Sequence, residues 1–376
     1  MAKILFLTTA HKFDDDRIFF HQAKTLQQNG FQVKICSLNS AFSGTIDGVE
    51  IDSSSILQQS AKQKIAAFQN VINAFQPDAI IASEPLAVMA AKAYRSKSKI
   101  PLMYDITEWY PSYRMLQQYK GFTKFFHAVK FFLIQGYAGF LSSHFIFGED
   151  NKKFPLAQLF PWKKSLDLGY YPDEKYVADH VKELTPNAIR LCYTGRISEE
   201  DGIGNFFKAI AALQKKRPSL KVSVLIIGRP KRKSDEQYFS ALLEEYNFSD
   251  IEIREQVPFV EFTNALASAD LCFDLRENNR EYSRSFPIKI FYYAGAGKPV
   301  IYTALKAIQN KMDISAFGHL VHPEDSEKIA DIVLNYIDDP ALYMQHAKRG
   351  RSLFLMQCNW RKISDSFVKF VKKALQ

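Results

Sequence analysis

Cysteine is scarce, and the four that occur (Cys36, Cys192, Cys272 and Cys358) lie far apart. That excludes a disulfide scaffold and a CxxC zinc site, and fits a reducing, cytoplasmic setting. No run approaches the roughly 18 uninterrupted apolar residues of a membrane-spanning helix. The opening stretch, Met1 to Leu7, is too short for the apolar core of a secretory leader and runs straight into polar sequence. Short-period repeats and low-complexity segments are also lacking. Acidic residues are missing from one long window: none lies between Glu108 and Glu149.

What is present is a chain of 376 residues, 47% hydrophobic and 14% aromatic, with 49 basic and 40 acidic residues and a formal charge of +9. That much apolar and aromatic content excludes disorder, and the length suits two domains. Residues 1–187 carry 21 basic and 17 acidic residues, so the excess charge is not confined to one tail. Signs are mixed in both halves and no recognition motif appears, so nucleic acid is not an expected partner.

The first half opens with an apolar strand, Ile4–Thr8, then a polar loop at His11–Asp16 and a helical pattern from Arg17 to Asn29 stopped by Gly30. A second strand follows at Phe31–Leu38. The pattern continues with helices at 60–75 and 85–95, strands at 79–82 and 101–105, a helical stretch at 122–141 and a strand at 144–147. Residues 150–187, with Pro155, Pro161, Pro172 and Pro186, show no sustained period and read as a domain tail and linker. The second half repeats the pattern. Strands are expected at 189–194, 222–227, 251–255, 271–275 and 299–303. Helices are expected at 203–216, 235–246, 261–268, 288–296, 325–337, 340–355 and 360–375. This is the α/β alternation of two doubly wound, parallel sheets, whose ligands bind beyond the carboxyl ends of the strands.

Two places could carry chemistry. In Tyr282-Ser283-Arg284-Ser285-Phe286-Pro287-Ile288-Lys289, a proline suits the first helical turn, and amides at Ser285 and Phe286 with Lys289 behind them could form an anion site. In Tyr193-Thr194-Gly195-Arg196, the arginine follows a buried strand and could clamp a phosphate. Taken singly, each also reads as an ordinary connection. Asp14-Asp15-Asp16 suggests a metal cluster, but consecutive aspartates diverge, and a solvated loop is the better reading.

Taken together, these residues resemble a family. Leu191-Cys192-Tyr193-Thr194-Gly195-Arg196, Leu225-Ile226-Ile227-Gly228, Ala269-Asp270-Leu271, Ser285 to Phe291 and Gly297-Lys298-Pro299-Val300-Ile301 look like the donor half of GT-B fold glycosyltransferases of the family 4 type (glycosyl transferases group 1). Asp16-Arg17-Ile18, Gly30-Phe31-Gln32-Val33 and Tyr104-Asp105-Ile106-Thr107-Glu108 with Tyr110-Pro111 look like its acceptor half. The resemblance implies two Rossmann-like domains facing across a cleft. Residues 1–187 would bind the acceptor and 188–355 the nucleotide sugar, and 356–376 would return to the first domain. It implies retaining, metal-independent transfer, without a cofactor, from a nucleotide-diphosphate sugar such as a UDP- or GDP-sugar. The acceptor would be a glycan or lipid-linked glycan in bacterial-type surface polysaccharide assembly.

By the same resemblance, Arg196, Lys289 and Glu108 are the expected catalytic residues. Gly195, Gly228, Arg229, Val257, Arg284, Ser285, Phe286, Pro287 and Tyr292 are expected at the donor, and His11, Asp16, Arg17 and Asp105 on the acceptor side. Four positions depart from the pattern. Asp201 stands where the family commonly has a phosphate-binding Lys, Tyr292 where it has a ribose-binding Glu, Arg284 where it has that residue's acidic partner, and Thr107 where it has a His. Arg229 or Arg284 could restore the missing charge. A sugar-nucleotide epimerase of the same fold, and a catalytically weak member acting as a binding partner, remain as alternatives.

The acid-free window 109–148 holds Arg114, Lys120, Lys124, Lys130 and thirteen aromatic residues. Phe122, Phe125, Phe126, Val129, Phe132 and Leu133 recur at helical spacing. Such a helix either packs on its own domain or lies on an anionic membrane surface. The absence of acids favours the second, and with it a peripheral location on the inner face of the membrane.

Overall fold

The structure is a computed structural model that describes residues 1–108, 110–149, 152–279 and 281–376, with Tyr113 and Arg114 described as backbone only. The Arg114 side chain, counted above in the acid-free window, therefore lies outside the described residues. The chain forms two compact units, Met1–Tyr170 with Trp360–Gln376, and Tyr171–Asn359.

In the first unit, β1 (Lys3–Thr8), β2 (Gln32–Ser37), β5 (Ala79–Ala82), β6 (Leu102–Ile106), β7 (His144–Phe147) and β8 (Lys164–Asp167) run parallel. The hairpin β3 (Asn39–Ile46) and β4 (Val49–Ser55) adds an antiparallel edge strand, and the sheet order is β3-β4-β2-β1-β5-β6-β7-β8. Ile4, Leu5, Phe6 and Leu7 are buried on both faces of β1, which is why that strand is a continuous apolar run. The hairpin has no counterpart in the sequence expectation. β3 is polar and largely exposed, so it lacks alternation, and its one signal is the turn at Asp47-Gly48. Residues 150–187 are also not a bare linker, since they contain the helical turn Leu156–Leu159 and the edge strand β8.

The helix expected at 17–29 begins as a wide i→i+5 helix, Asp16–Ala23, and becomes α-helical over Lys24–Gln28. The Asp15 side chain starts it, accepting from the amides of Arg17 at 3.0 Å and Ile18 at 3.1 Å. The wide turn brings Arg17 and Gln22, five residues apart, to one carboxylate, that of Asp105. The helix Trp360–Leu375 buries Trp360, Phe367, Val368 and Val371 with Ile4, Phe6, Ile18 and Phe19. The Trp360 indole N–H donates to Thr25 Oγ1 at 2.8 Å.

The helix Gly121–Leu141 does the opposite. Only Gln135, Ala138, Gly139 and Leu141 are buried, and its aromatic stripe faces outward, so it is not packed on its own domain through that stripe.

In the second unit every strand is parallel. These are β9 (Ala188–Arg196), β10 (Lys221–Arg229), β11 (Ile251–Arg254), β12 (Leu271–Asp274), β13 (Val300–Thr303) and β14 (Gly318–Val321), in the order β11-β10-β9-β12-β13-β14. The sequence pattern missed β14, a four-residue strand with a glycine and a histidine. The helix expected at 261–268 is a tight turn, Phe259–Glu261, followed by Phe262–Ala265. Residues 171–187, grouped above with the first domain, belong to this unit. Val177 packs with Tyr292 and Phe354, and Lys298 Nζ donates to the His180 carbonyl at 2.9 Å. The chain passes between units at 170/171 and 359/360.

Because Phe367 is fully buried, Phe367→Ala should lower the unfolding free energy of the first unit by about 3–5 kcal/mol in urea titration. The exposed neighbour change Lys369→Ala should stay within about 0.5 kcal/mol of the parent.

Candidate functional site: charged clusters at two switch points

Strand order reverses between β9 and β12 in the second unit and between β1 and β5 in the first. At such a point neighbouring connections leave in opposite directions and open a crevice at the carboxyl ends of the strands. Both crevices hold connected polar networks.

In the second unit, Arg196 ends β9. Its guanidinium pairs with the Asp201 carboxylate, lies 3.3 Å from Glu200 Oε2, and donates to the Tyr282 hydroxyl at 3.1 Å. Asp201 also accepts from Ser198 Oγ at 2.7 Å and from the Tyr282 hydroxyl at 3.0 Å. Burial raises its pKa, but the Ser198 and Arg196 hydrogen bonds outweigh that and hold it below the usual range. The Tyr193 hydroxyl lies 2.7 Å from the Arg196 carbonyl and 3.1 Å from that of Asp201, pinning the loop between them.

Across the crevice, Asp274 ends β12 and takes a bidentate pair from Arg276, at 2.6 and 2.5 Å. The Arg276 guanidinium lies 5.1 Å from the centre of the Tyr282 ring. Lys289 Nζ donates to the Thr194 carbonyl and stands 3.8 Å from Asp274. One turn further along the same helix, the Tyr293 hydroxyl lies 2.5 Å from Thr194 Oγ1.

Two glycines permit this closeness. Gly195 has φ +114°, a value L side chains rarely adopt, and a Cβ there would stand 2.7 Å from Lys289 Nζ. Gly228 pairs with Gly195 in the β10–β9 register, and a Cβ on it would fall 1.8 Å from the Gly195 carbonyl oxygen.

The structure therefore brings together Arg196, Lys289, Gly195 and Gly228 as expected from sequence, and adds Arg276, Asp274 and Tyr282, which were not singled out. Arg229 is exposed at the end of β10, in register with Arg196, and Arg284 is exposed in the 282–284 turn. Val257 packs half-buried on the cluster that contains Phe286 and Phe291.

The expected anion site at 285–287 is closed at its first amide, because Ser285 N–H donates to the Tyr282 carbonyl at 3.0 Å. The helix begins at Lys289, two residues after Pro287. Phe286 is buried and stacks on Phe291 at 5.1 Å. Tyr292, expected at the donor, is 5% exposed and packs edge-on against Phe259 and Phe262.

In the first unit the crevice holds a buried carboxyl group, whose pKa burial raises. Glu84, just after β5, accepts from the amides of Thr9 at 2.7 Å and Ala10 at 3.0 Å and from Thr8 Oγ1 at 3.0 Å. His11 Nδ1 lies 2.9 Å from Asp15, and its Nε2 lies 3.4 Å from Thr107 Oγ1 and 3.9 Å from Glu84. Burial alone would lower the His11 pKa. The hydrogen bond and charge of Asp15, with Glu84 and Asp105 behind it, instead raise it to about 9. At neutral pH the ring is a cation whose two N–H groups both donate.

Asp16 is pushed up to about 6 by burial and by the adjacent Asp15. Arg17 and Asp105, expected on the acceptor side, are 2% and 0% exposed and grip each other at 2.8 and 2.9 Å. Arg17 also donates to the Leu168 carbonyl at 3.0 Å, and Gln22 donates to Asp105 at 2.8 Å. Both side chains of this pair are buried in the interior of the unit. Glu108 is exposed two residues past β6. The aspartate run serves three separate purposes: Asp14 is exposed, Asp15 caps a helix and holds His11, and Asp16 accepts from the Arg17 amide at 2.9 Å. Among the described residues no group of three His, Cys, Asp or Glu is placed to hold a metal ion.

A histidine whose pKa rises from 6.5 to about 9 on folding adds stability that is complete below pH 6.5 and lost as pH rises through 9. The first unit should therefore lose stability across that window in urea titrations, and His11→Gln should flatten the slope.

Residues 188–339 match the family described as glycosyl transferases group 1. A search of curated proteins gives no match. Among solved structures, sucrose-phosphate synthase of Thermosynechococcus elongatus superposes with a TM-score of 0.75 at 14% identity over 99% of both chains. HepE of Anabaena, solved in complex with UDP-glucose, gives 0.70 at 15% identity over 99% of this chain and 100% of its own. A UDP-forming α,α-trehalose-phosphate synthase of Burkholderia xenovorans gives 0.69 at 10% identity over 100% of both chains. The two doubly wound units are thus the Rossmann-like domains of the GT-B fold, and within the second of them residues 188–339 are similar to the glycosyl transferases group 1 family.

Proposed function

We propose that the protein is a retaining, metal-independent glycosyltransferase that uses a nucleotide-diphosphate sugar, such as a UDP- or GDP-sugar. The proposed acceptor is a glycan or lipid-linked glycan in bacterial-type surface polysaccharide assembly, met in the cytoplasm or at the inner face of the membrane. One observation carries the donor assignment. Arg196, Arg276 and Lys289 converge at the β9/β12 switch point, inside the segment that matches the transferase family. The UDP-glucose bound to HepE supports the same class of donor.

When the bond from sugar to diphosphate breaks, negative charge grows on the leaving phosphates. Fixed cations in a crevice lower that barrier more than they stabilise the ground state. Arg196 and Lys289 are the proposed catalytic cations, and Arg276, anchored by Asp274, supplies the charge that the missing lysine would have carried. Gly195 and Gly228 let the ends of β9 and β10 and the Lys289 amine close up beside the crevice. Glu108 is the proposed acceptor-side carboxylate, and His11 adds a positive charge there.

Asp201 sets the condition for this chemistry. It stands at the position of the usual lysine and already neutralises Arg196, so a diphosphate must take the guanidinium from it. A catalytically weak, binding-only protein is the reading this pair would favour if no nucleotide sugar bound.

Arg196→Ala should lower both transfer and donor hydrolysis by roughly 100-fold. Activity within a few-fold of the parent removes Arg196 from the mechanism, and a sugar of inverted configuration formed from donor without acceptor marks an epimerase. Asp201→Asn should tighten nucleoside-diphosphate binding in calorimetry by about ten-fold, the effect of about 1.4 kcal/mol less competition. An unchanged affinity would show that Asp201 leaves Arg196 without cost.

A further inference from the structure

We infer that the outer face of the helix Gly121–Leu141, continued by Trp162, is a docking surface for an anionic lipid bilayer. Phe122, Phe126, Val129, Leu133, Tyr137 and Phe140 follow one another at steps of three or four residues, on one line along the helix. They are 74, 58, 40, 63, 41 and 66% exposed, and Phe125 beside them is 60% exposed. In a water-facing helix this line would be the polar side. Here the inward side is short, Gln135, Ala138, Gly139 and Leu141 at one end of the helix, and Tyr119 stacks on His127 at 3.6 Å. The apolar line runs for roughly 30 Å, the length of a 21-residue helix. A contiguous apolar strip of this size marks a contact surface. No described helix is long and apolar enough to cross a membrane, so the strip lies along the interface.

Charge identifies the occupant. The helix Lys92–Ser98 beside it brings Lys92, Arg95 and Lys97 without an acid, and Lys92 Nζ donates to the Tyr137 hydroxyl at 2.9 Å. At the far end Phe140 and Trp162 line a shallow pocket with Arg95, His144, Lys163 and Lys164. Trp162 is 72% exposed. Lys163 Nζ donates to the carbonyls of Gly139, Phe140 and Ser142 at 2.5, 2.9 and 2.6 Å, and so holds the helix end beneath that pocket. Burial and the charge of Arg95 push Lys163 down to about 8, which an arriving phosphate would reverse. Aromatic side chains flanked by cations suit the acyl–headgroup boundary of an anionic leaflet. A second copy of the chain would set these cations against their equals, because a two-fold contact brings identical patches together.

The inference does not depend on the transfer reaction, and its test does not use it. The full chain is sedimented with vesicles of phosphatidylcholine alone or with phosphatidylglycerol added, at low and high salt. Pelleting with anionic vesicles at low salt should exceed that with neutral ones by at least about ten-fold and fall at high salt. In a Trp109→Phe background tryptophan emission should shift to the blue on binding, and adding Trp162→Phe should abolish the shift, since the remaining Trp360 is buried.

The exposed triple change Phe122→Ser, Phe126→Ser, Leu133→Ser should reduce pelleting by more than about ten-fold while leaving the melting temperature and nucleotide binding unchanged. Equal pelleting with both lipids overturns the inference, as does full binding by the triple variant. A parent that sediments with neither lipid but runs as a dimer, while the variant runs as a monomer, assigns the strip to a second copy and also overturns it.

Discussion

Local neutrality at the strand ends governs how this molecule can bind anything. Where a parallel sheet reverses its winding, backbone amides and side-chain cations point into one crevice, and desolvated charge left uncompensated costs several kcal/mol. The chain meets that cost with its own carboxylates. Glu84 occupies the amides of Thr9 and Ala10, Asp201 holds Arg196, and Asp274 holds Arg276. Binding an anion at either crevice is therefore an exchange of partners. The affinity measures the difference between a phosphate and a tethered carboxylate, and the small rotation of one aspartate can control it.

The parallel strands and the long amphipathic helices were legible because their signals are local. Buried strands read as apolar runs, and the helices at 203–216, 325–337 and 360–375 read from their period. Arg196 and Lys289 were legible through neighbouring glycines and a proline. What failed was information that exists only between distant residues. Glu84 looks like a loop residue before Pro85 until the amides of Thr9 and Ala10 are found on it, 75 and 74 positions away. Asp274 and Arg276 look like a strand end. Arg17 and Asp105 carry the motif's charges, yet 88 residues of separation hide that they neutralise each other in the interior. The Ser285 amide was assigned to an anion although its own turn uses it, a local conformation that the proline two residues on did not disclose.

Two helices show the same limit from another side. Trp360–Leu375 and Gly121–Leu141 both carry a stripe of aromatic and aliphatic residues at helical spacing. Periodicity establishes that a stripe exists, not what covers it. The first stripe is closed over by Ile4, Ile18 and Phe19, and the second is left facing outward. The difference lies in the opposite face. Small residues at Ala138 and Gly139 let one end of the long helix approach the sheet, whereas charged residues such as Lys362 and Lys369 fill the outer side of the other helix.

The placement of Trp360–Leu375 also sets a timetable. The first unit comprises residues up to Tyr170 and then resumes only at Trp360. At about 5–20 residues per second on a ribosome, its first part must wait roughly 10–40 s for the helix that covers Ile4, Phe6 and Phe19. Until then that face of its sheet is covered only in part, by Ile18, Phe19 and Leu26, and the second unit, contiguous in the chain, is whole at Asn359 before the first is complete. The order of completion on the ribosome is thus the reverse of the order in which the two units are begun.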